Sequence, residues 1–241
     1  MATVALRLAG PLQSWGSASR FVRRGTETAP TKSGVVGMVA SALGIRRTDP
    51  LEELLGLRLG VRLDQPGRLL RDFQTAQRPK KARDGTVTWQ RLPLSHRYYL
   101  SDAVFLAALE GERSLVEGID RAVRSPAFPL YLGRRSCPPA GPIALDVWDA
   151  TLEEVLTTHP WLASSAQQRR HRDATVRLET VRDAAEHEAG AETLRDEPVS
   201  FDPNRRRHAW RSVTRESVEV PNPHGVHEPT NEHDPMSLLG G

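Results

Sequence analysis

The chain has 241 residues, 38% of them hydrophobic, with 18 prolines and one cysteine, enough to bury a core as one large domain or two small ones. No apolar run approaches the roughly 20 residues of a membrane-spanning helix. The opening Met1-Ala2-Thr3-Val4 has neither the charged nor the apolar region of a signal peptide, and the lone Cys137 excludes an internal disulfide and fits a reducing compartment. The expectation is a cytoplasmic protein with no membrane partner.

The net charge of +3 is unevenly divided. Residues 1–140 hold 22 Lys and Arg against 12 Asp and Glu, whereas residues 141–241 hold 11 against 18. A polyanionic partner is therefore expected for the first part only. Arginine supplies all cations but Lys32, Lys80 and Lys81. It suits bidentate phosphate contacts and stacking on bases, although a general arginine bias gives the same ratio.

In chain order, residues 3–9 (TVALRLA) alternate, with Val4, Leu6 and Leu8 on one face, and predict a strand ended by Gly10-Pro11. Leu12-Gln13-Ser14-Trp15-Gly16 opens a basic loop with Arg20, Arg23 and Arg24. Pro30 keeps Ala29 extended, and Thr31 or Ser33 offers a hydroxyl to cap a helix over residues 32–43, stopped at Gly44. The helix is apolar nearly all round, as one sandwiched between layers is. Gly34 and Gly37 each weaken it by about 1 kcal/mol relative to alanine, which points to another backbone coming close. Asp49 caps a short helix, with Pro50 at its first position.

Residues 57–63 alternate strictly, placing Arg58 and Arg62 on an outer face, and residues 69–76 read as another strand. Residues 77–97 are poor in apolar side chains and rich in Arg78, Lys80, Lys81, Arg83, Arg91 and Arg97. Asp84-Gly85 is a turn signal inside them and residues 86–89 are the returning strand, which gives a protruding basic hairpin. Residues 98–109 read as one apolar strand and 112–123 as an amphipathic helix. Residues 131–137 form a glycine-arginine turn, and 143–148 the last strand of this half. The class is α+β. The order is close to a ferredoxin-like β-α-β-β-α-β unit with a hairpin inserted, over residues 1–148. A smaller, mainly β domain and tail occupy 149–241, with a helix over 152–157 and strands over 175–181 and 209–220. Arg205-Arg206-Arg207-His208 interrupts the acidity there.

The turn at residues 29–34 reads two ways. N–H groups, hydroxyls and the Lys32 ammonium can form a phosphate seat at a positive helix end, or the segment is an ordinary capped core helix. A nucleotide P-loop is excluded, because G-x-x-x-x-G-K-[ST] is absent. His224, His227, His233 and Asp234 fit no zinc spacing, so no metal or other cofactor is expected. Cys137 sits beside Arg134 and Arg135, which could lower its thiol pKa, but no partner histidine can be assigned from sequence and nucleophilic catalysis is not expected. Metal-free RNA cleavage needs a base and cations, which His96, Tyr98, Tyr99 and Lys80 can supply. Single residues of these types are also ordinary core or hairpin residues. Nucleic-acid binding draws on four basic segments: residues 20–24, Lys32, residues 78–97 and residues 134–135. Trp15, Trp89 and Tyr98 are interspersed as stacking platforms worth about 1–3 kcal/mol each.

Leu6-Arg7-Leu8-Ala9-Gly10-Pro11-Leu12-Gln13-Ser14-Trp15-Gly16 resembles the opening of the Cas family 5 subunits of type I-E CRISPR Cascade, in the RAMP superfamily. Pro30-Thr31-Lys32-Ser33-Gly34-Val35-Val36-Gly37 resembles their next block, and Tyr131-Leu132-Gly133-Arg134-Arg135-Ser136-Cys137-Pro138 their glycine-rich loop. With the strand at 98–108, the match spans residues 3–145. Residues 150–241 resemble the family only loosely, apart from the closing His233-Asp234-Pro235-Met236.

The resemblance implies a RAMP-type (RRM-like) ferredoxin-like domain whose inserted hairpin, about 77–97, is a thumb. It implies a non-catalytic subunit that caps the 5′ handle of CRISPR RNA (crRNA) in antiviral defence. Such a subunit sits beside the Cascade backbone and large subunits and meets target DNA through the assembled complex. The residues expected at RNA are Gln13, Trp15, Arg20, Arg23, Arg24, Thr31, Lys32, Ser33 and Gly34; Arg78, Lys80, Lys81, Arg83, Trp89 and Arg97 along the hairpin; and Arg134, Arg135 and Ser136. Type I-C relatives are metal-independent endoribonucleases that cut the repeat, whereas type I-E systems leave that to a separate subunit. Cleavage and a protein-only assembly scaffold are the two alternatives.

Overall fold

The computed structural model describes residues 1–16 and 22–226. The alternating opening forms strand β1 (Ala2–Ala9), followed by the short β2 (Leu12–Gln13) and β3 (Arg23–Arg24). The capped segment forms helix α1 (Lys32–Ala42), and α2 (Glu52–Leu55) is a single turn. Then come β4 (Arg58–Gln65), β5 (Arg68–Gln74), the hairpin strands β6 (Gln77–Lys81) and β7 (Val87–Arg91), β8 (Ser95–Ser101), β9 (Val104–Gly111) and helix α3 (Arg113–Arg124). Strand β10 (Ala144–Trp148), helices α4 (Leu152–Thr158) and α5 (Ser165–Arg170), and strands β11 (Thr175–Asp183), β12 (Glu192–Ser200) and β13 (Arg207–Pro221) complete the chain. The protein mixes α and β with mostly antiparallel sheets.

A seven-stranded sheet in the order β10-β1-β9-β4-β11-β13-β12 carries the fold. It is covered on both sides, which explains its near-continuous apolar strands. Val4, Leu6, Leu8, Leu59, Val61, Phe105 and Leu109 face one core, with Val35, Val36 and Val39 of α1 and Val116 and Ile119 of α3. Ala5, Leu106 and Ala108 face the other, against Leu152, Val155 and Leu156 of α4. A second sheet joins β8 to β2, β3 and β5, and β6 pairs only with β7.

The second cover corrects the expectation for Arg62. Its face of β4 packs under α4, and its side chain is fully buried. It pairs with Asp64 at 2.7 Å and donates to the carbonyls of Leu156, His159 and Pro160 at 2.7, 2.7 and 2.9 Å. The expected strand over 98–109 is two strands, broken where Asp102 takes a φ of 56°. Asp49 caps no helix: its carboxylate accepts from the Arg46 N–H, and Leu51 precedes α2 without a side-chain cap. Helix α5 and strand β12 were not anticipated.

Candidate nucleic-acid interface

Three chain segments far apart in sequence close on one another around α1. The Ser14 N–H donates to the Leu132 carbonyl at 3.1 Å. The next residue, Gly133, has a φ of +90°, and a Cβ there would lie 1.8 Å from the Ser14 carbonyl oxygen. Only glycine fits this contact. A Cβ on Gly34 would lie 2.8 Å from Trp15 Cε3, and one on Gly37 would lie 3.3 Å from Phe201 Cζ. Both helix glycines thus admit an aromatic ring, not the second backbone that was expected.

Trp15 has no exposed surface, and its indole N–H donates to Gln13 Oε1 at 3.1 Å. Gln13, also buried, donates in turn to the carbonyls of Leu8 and Ala103. A residue with both its faces and its one donor committed cannot stack on a base. Gln13 and Trp15 are framework, which corrects their assignment to RNA.

The helix end is also occupied. Thr31 is its cap, accepting from the Gly34 N–H at 3.3 Å, so Ser33 does not serve. The Lys32 N–H donates to Asp196 Oδ2 at 2.8 Å, so the protein's own carboxylate takes the place of the expected phosphate. The buried Lys32 ammonium bridges Asp183 and Glu197 at 3.0 and 2.8 Å. Arg211 closes the network, 2.6 Å from both Asp183 and Asp196. Burial pushes the Glu197 carboxyl above its ordinary pKa although Lys32 pulls it down. These ions fasten α1 to β11, β12 and β13, and Lys32 is corrected from ligand to lock.

In front of the lock lies a cleft of about 580 Å³. Ser14–Gly16, Thr31, Ser33, Gly34 and Gly133 line it together with Arg24, Arg134, Arg195, Arg206, Arg207 and His208. Among the described residues no Asp or Glu lines it. Arg134 is held in place: its guanidinium donates to the carbonyls of Tyr98, Arg24 and Gly25 and covers the Tyr99 ring at 4.9 Å. Its charge faces the cleft while its donors position the wall. No carboxylate pairs with Arg195 or Arg207 among the described residues, and the one bond of Arg195 is a long one to the His208 carbonyl, 3.5 Å. Arg195, Arg206 and Arg207 were missed as site residues. The signal was the Arg205–His208 run, a basic island in an acidic half.

The basic hairpin is where the sequence put it, and Arg78, Lys80, Lys81, Arg83 and Trp89 are all exposed. Ala82 and Thr86 close its turn, with Gly85 at a φ of +88°. Trp89, 65% exposed, is the open stacking surface. Tyr98 is not, because Arg23 covers its ring at 5.3 Å. Arg97 lies beside Arg24 in the β3–β8 pair, its Nε buried and without a hydrogen-bond partner among the described residues. Arg135 and Ser136 are exposed in the glycine loop. Arg20 lies outside the described residues, as do His227, His233 and Asp234.

The candidate catalytic groups are not gathered. Strand alternation puts His96 and Tyr98 on one face of β8 and Tyr99 on the other. Tyr99 is buried, and Lys80 belongs to a separate two-stranded ribbon. Burial also raises the Cys137 thiol pKa, outweighing the lowering by Ser136 and Arg134, which reverses the expected activation. Among the described residues no group of three His, Cys, Asp or Glu is placed to hold a metal. No helix among them is long and apolar enough to cross a membrane.

The family model for "CRISPR-associated protein (Cas_Cas5)" matches residues 3–214. The chain belongs to that family. All the described residues of the cleft fall within the matched span. This Cas5-family chain is 34% identical over 166 residues to "CRISPR system Cascade subunit CasD" of Escherichia coli (strain K12), covering 61% of the chain and 71% of the relative. A solved structure titled "Crystal structure of Cas protein" is 38% identical, with a TM-score of 0.68 over 94% of this chain and 99% of the other. A chain of a "CRISPR RNA-guided surveillance complex" is 30% identical, with a TM-score of 0.73 over 98% of each.

Proposed function

We propose that this chain is the non-catalytic subunit of a type I-E Cascade complex that caps the 5′ handle of the crRNA, with the handle's phosphates in the cleft. The observation that carries this reading is the cleft lining. Arginines from both halves of the chain meet there with no carboxylate, although the C-terminal half is acidic overall. Guanidinium groups converging on hydroxyls and backbone suit a bent single strand presenting several phosphates.

In this reading residues 1–148 are a RAMP-type ferredoxin-like domain, supported by the antiparallel order β10-β1-β9-β4 with α1 and α3 as crossovers. Residues 149–241 are the smaller domain, and its contribution to the site is Arg195 and Arg206–His208. The β6–β7 hairpin is the thumb, with Trp89 and its exposed cations folding over the guide. The backbone and large subunits of a cytoplasmic complex are the protein partners, and target DNA is met through them. The dispersal of His96, Tyr99 and Lys80 supports binding over cleavage.

The test is one gel in EDTA with labelled repeat-containing precursor RNA and mature handle-bearing RNA, for wild type, Arg195→Ala, Arg207→Ala and His96→Ala. A handle-dependent shift without cleavage, weakened by the arginine variants, is expected. Specific cleavage lost in His96→Ala would overturn the reading.

A further inference from the structure

The C-terminal half is acidic, yet three of its arginines stand together without a carboxylate partner. Of the eleven arginines in residues 141–241, Arg182 and Arg211 are held in largely buried ion pairs, and Arg215 pairs with Glu192 at 3.2 Å. Arg177 donates to the Ser217 hydroxyl at 2.6 Å. Arg195 and the run 205–207 line the cleft and the space beside it. That leaves Arg169, Arg170 and Arg172, all exposed and none with a side-chain partner among the described residues. The one carboxylate in the stretch, Asp173, has a side chain 82% exposed and reaches only His171, at 3.6 Å.

These arginines are presented on a fixed backbone. Helix α5 is capped by Ser164, whose hydroxyl accepts from the Gln167 N–H at 3.3 Å, and Arg169 and Arg170 occupy its last turn. The turn beyond it is fastened from inside by the buried Asn222. The Asn222 side-chain amide shares its two hydrogens among the carbonyls of Gln168, His171 and Asp173, at 3.2, 2.7 and 3.2 Å. Its backbone N–H donates to the Ala174 carbonyl at 2.8 Å, and the Val226 N–H to that of Arg172 at 2.9 Å. A helix C-terminus favours cations, which accounts for Arg169 and Arg170 but not for Arg172, outside the helix. The patch is also remote from the cleft. It adjoins Thr175 at the start of β11, whereas the Lys32 lock behind the cleft holds Asp183 at its end. That length of strand spans roughly 26 Å.

We propose that Arg169, Arg170 and Arg172 form a second nucleic-acid contact, which takes the phosphate backbone of duplex DNA and not the RNA strand of the cleft. The patch offers no ring to an unpaired base, because Trp161 is buried and His171 stands edge-on to it at 5.9 Å. Single-strand sites use such platforms, whereas a duplex presents its phosphates outward. A protein partner would call for apolar anchors. Among the described residues no large apolar side chain is exposed between residues 129 and 198, and Val226 is exposed alone beside the patch. The source of the duplex is the DNA that the complex targets, and that clause alone rests on the Cascade reading.

The experiment uses the full chain and measures, across a salt series, the binding of a short labelled DNA duplex of arbitrary sequence and of the handle RNA. Wild type is compared with Arg169→Ala/Arg170→Ala/Arg172→Ala, with Arg169→Lys/Arg170→Lys/Arg172→Lys and with Arg195→Ala/Arg207→Ala. Each duplex phosphate contact contributes about 0.9 to the slope of log affinity against log salt, so the alanine triple variant should lose about 2.7. The lysine triple variant should keep the wild-type slope. Both should bind handle RNA as wild type does, and the cleft variant should lose RNA while keeping the duplex. Equal duplex affinity and slope in wild type and the alanine triple variant would overturn the inference and leave the handle reading standing. Parallel losses of duplex and RNA in both alanine variants would also overturn it, since one surface would then serve both. Duplex lost as expected, with RNA unbound by wild type, would support the patch and overturn the handle reading. Retention of a polyglutamate peptide through the same three arginines, with the duplex ignored, would overturn the DNA contact in favour of an acidic protein.

Discussion

Replacing Lys32 by alanine separates a structural lock from an RNA ligand. The substitution leaves Asp183 and Glu197 without the ammonium that now stands 3.0 and 2.8 Å from them. Removing one partner of a buried ion pair costs about 3–5 kcal/mol. Arg211 stays 2.6 Å from Asp183 and shares its charge, so the expected loss is at the lower end, about 3 kcal/mol. In a protein of this size that lowers the melting midpoint by roughly 6–12 °C. The pH dependence has a definite sign. Glu197 already has a raised pKa against the pull of Lys32, and the variant raises it further. A raised folded pKa contributes stability that is full below the ordinary glutamate value and is lost as pH rises through the folded value. The variant's deficit is therefore largest at alkaline pH and shrinks on acidification. Thermal melts followed by circular dichroism at several pH values test this, together with RNA binding measured well below both midpoints. Binding should stay within about twofold of wild type, a difference of under 0.5 kcal/mol. A wild-type melt with RNA binding lost would refute the lock.

Gly133→Ala places a Cβ 1.8 Å from the Ser14 carbonyl oxygen at a φ of +90°. A loss of at least about 2 kcal/mol in urea denaturation is expected, and an unchanged midpoint would contradict the packing. Hydrogen bonds from Arg182, at 2.7 and 2.9 Å, hold the Glu188 carboxyl down to about 2. That pair contributes stability present above the ordinary glutamate value and lost as pH falls toward the depressed one. Between about pH 5 and pH 3 the wild-type melting temperature should therefore fall more steeply than that of Glu188→Gln, and parallel profiles would show the pair to be idle. Trp89→Ala should leave stability within about 0.5 kcal/mol, because the ring is 65% exposed. In the assembled complex it should cost about 1–3 kcal/mol of RNA affinity, whereas equal affinity would remove Trp89 from the interface.

What the sequence conveys is what lies within a few residues. The cap, body and stop of α1 follow from Thr31, the apolar run and Gly44, and the hairpin follows from Asp84-Gly85 between basic strands. Contacts across the chain are not conveyed. Lys32 reads as a solvated or phosphate-binding lysine because its partners Asp183 and Glu197 come from strands more than 150 residues away. Arg62 reads as outward because alternation shows two faces of a strand, not that α4 covers the second. Strand β12 (ETLRDEPVS) has no apolar alternation and exists through its pairing with β13. The break between β8 and β9 falls at Ser101-Asp102-Ala103, with neither glycine nor proline to mark it. The cleft was half legible: Thr31, Ser33, Gly34, Arg24 and Arg134 come from the expected blocks, while Arg195, Arg206 and Arg207 need the fold to bring them in.

The measurement that tests the central claim most directly is the salt dependence of handle-RNA binding, compared between wild type and Arg195→Ala/Arg207→Ala. Each single-strand phosphate released from a cation flattens the slope of log affinity against log salt by about 0.7, so the double variant should lose roughly 1.4. Weaker binding at low salt with that flatter slope is the predicted result. Equal affinity and an equal slope would contradict the cleft as the seat of the RNA backbone.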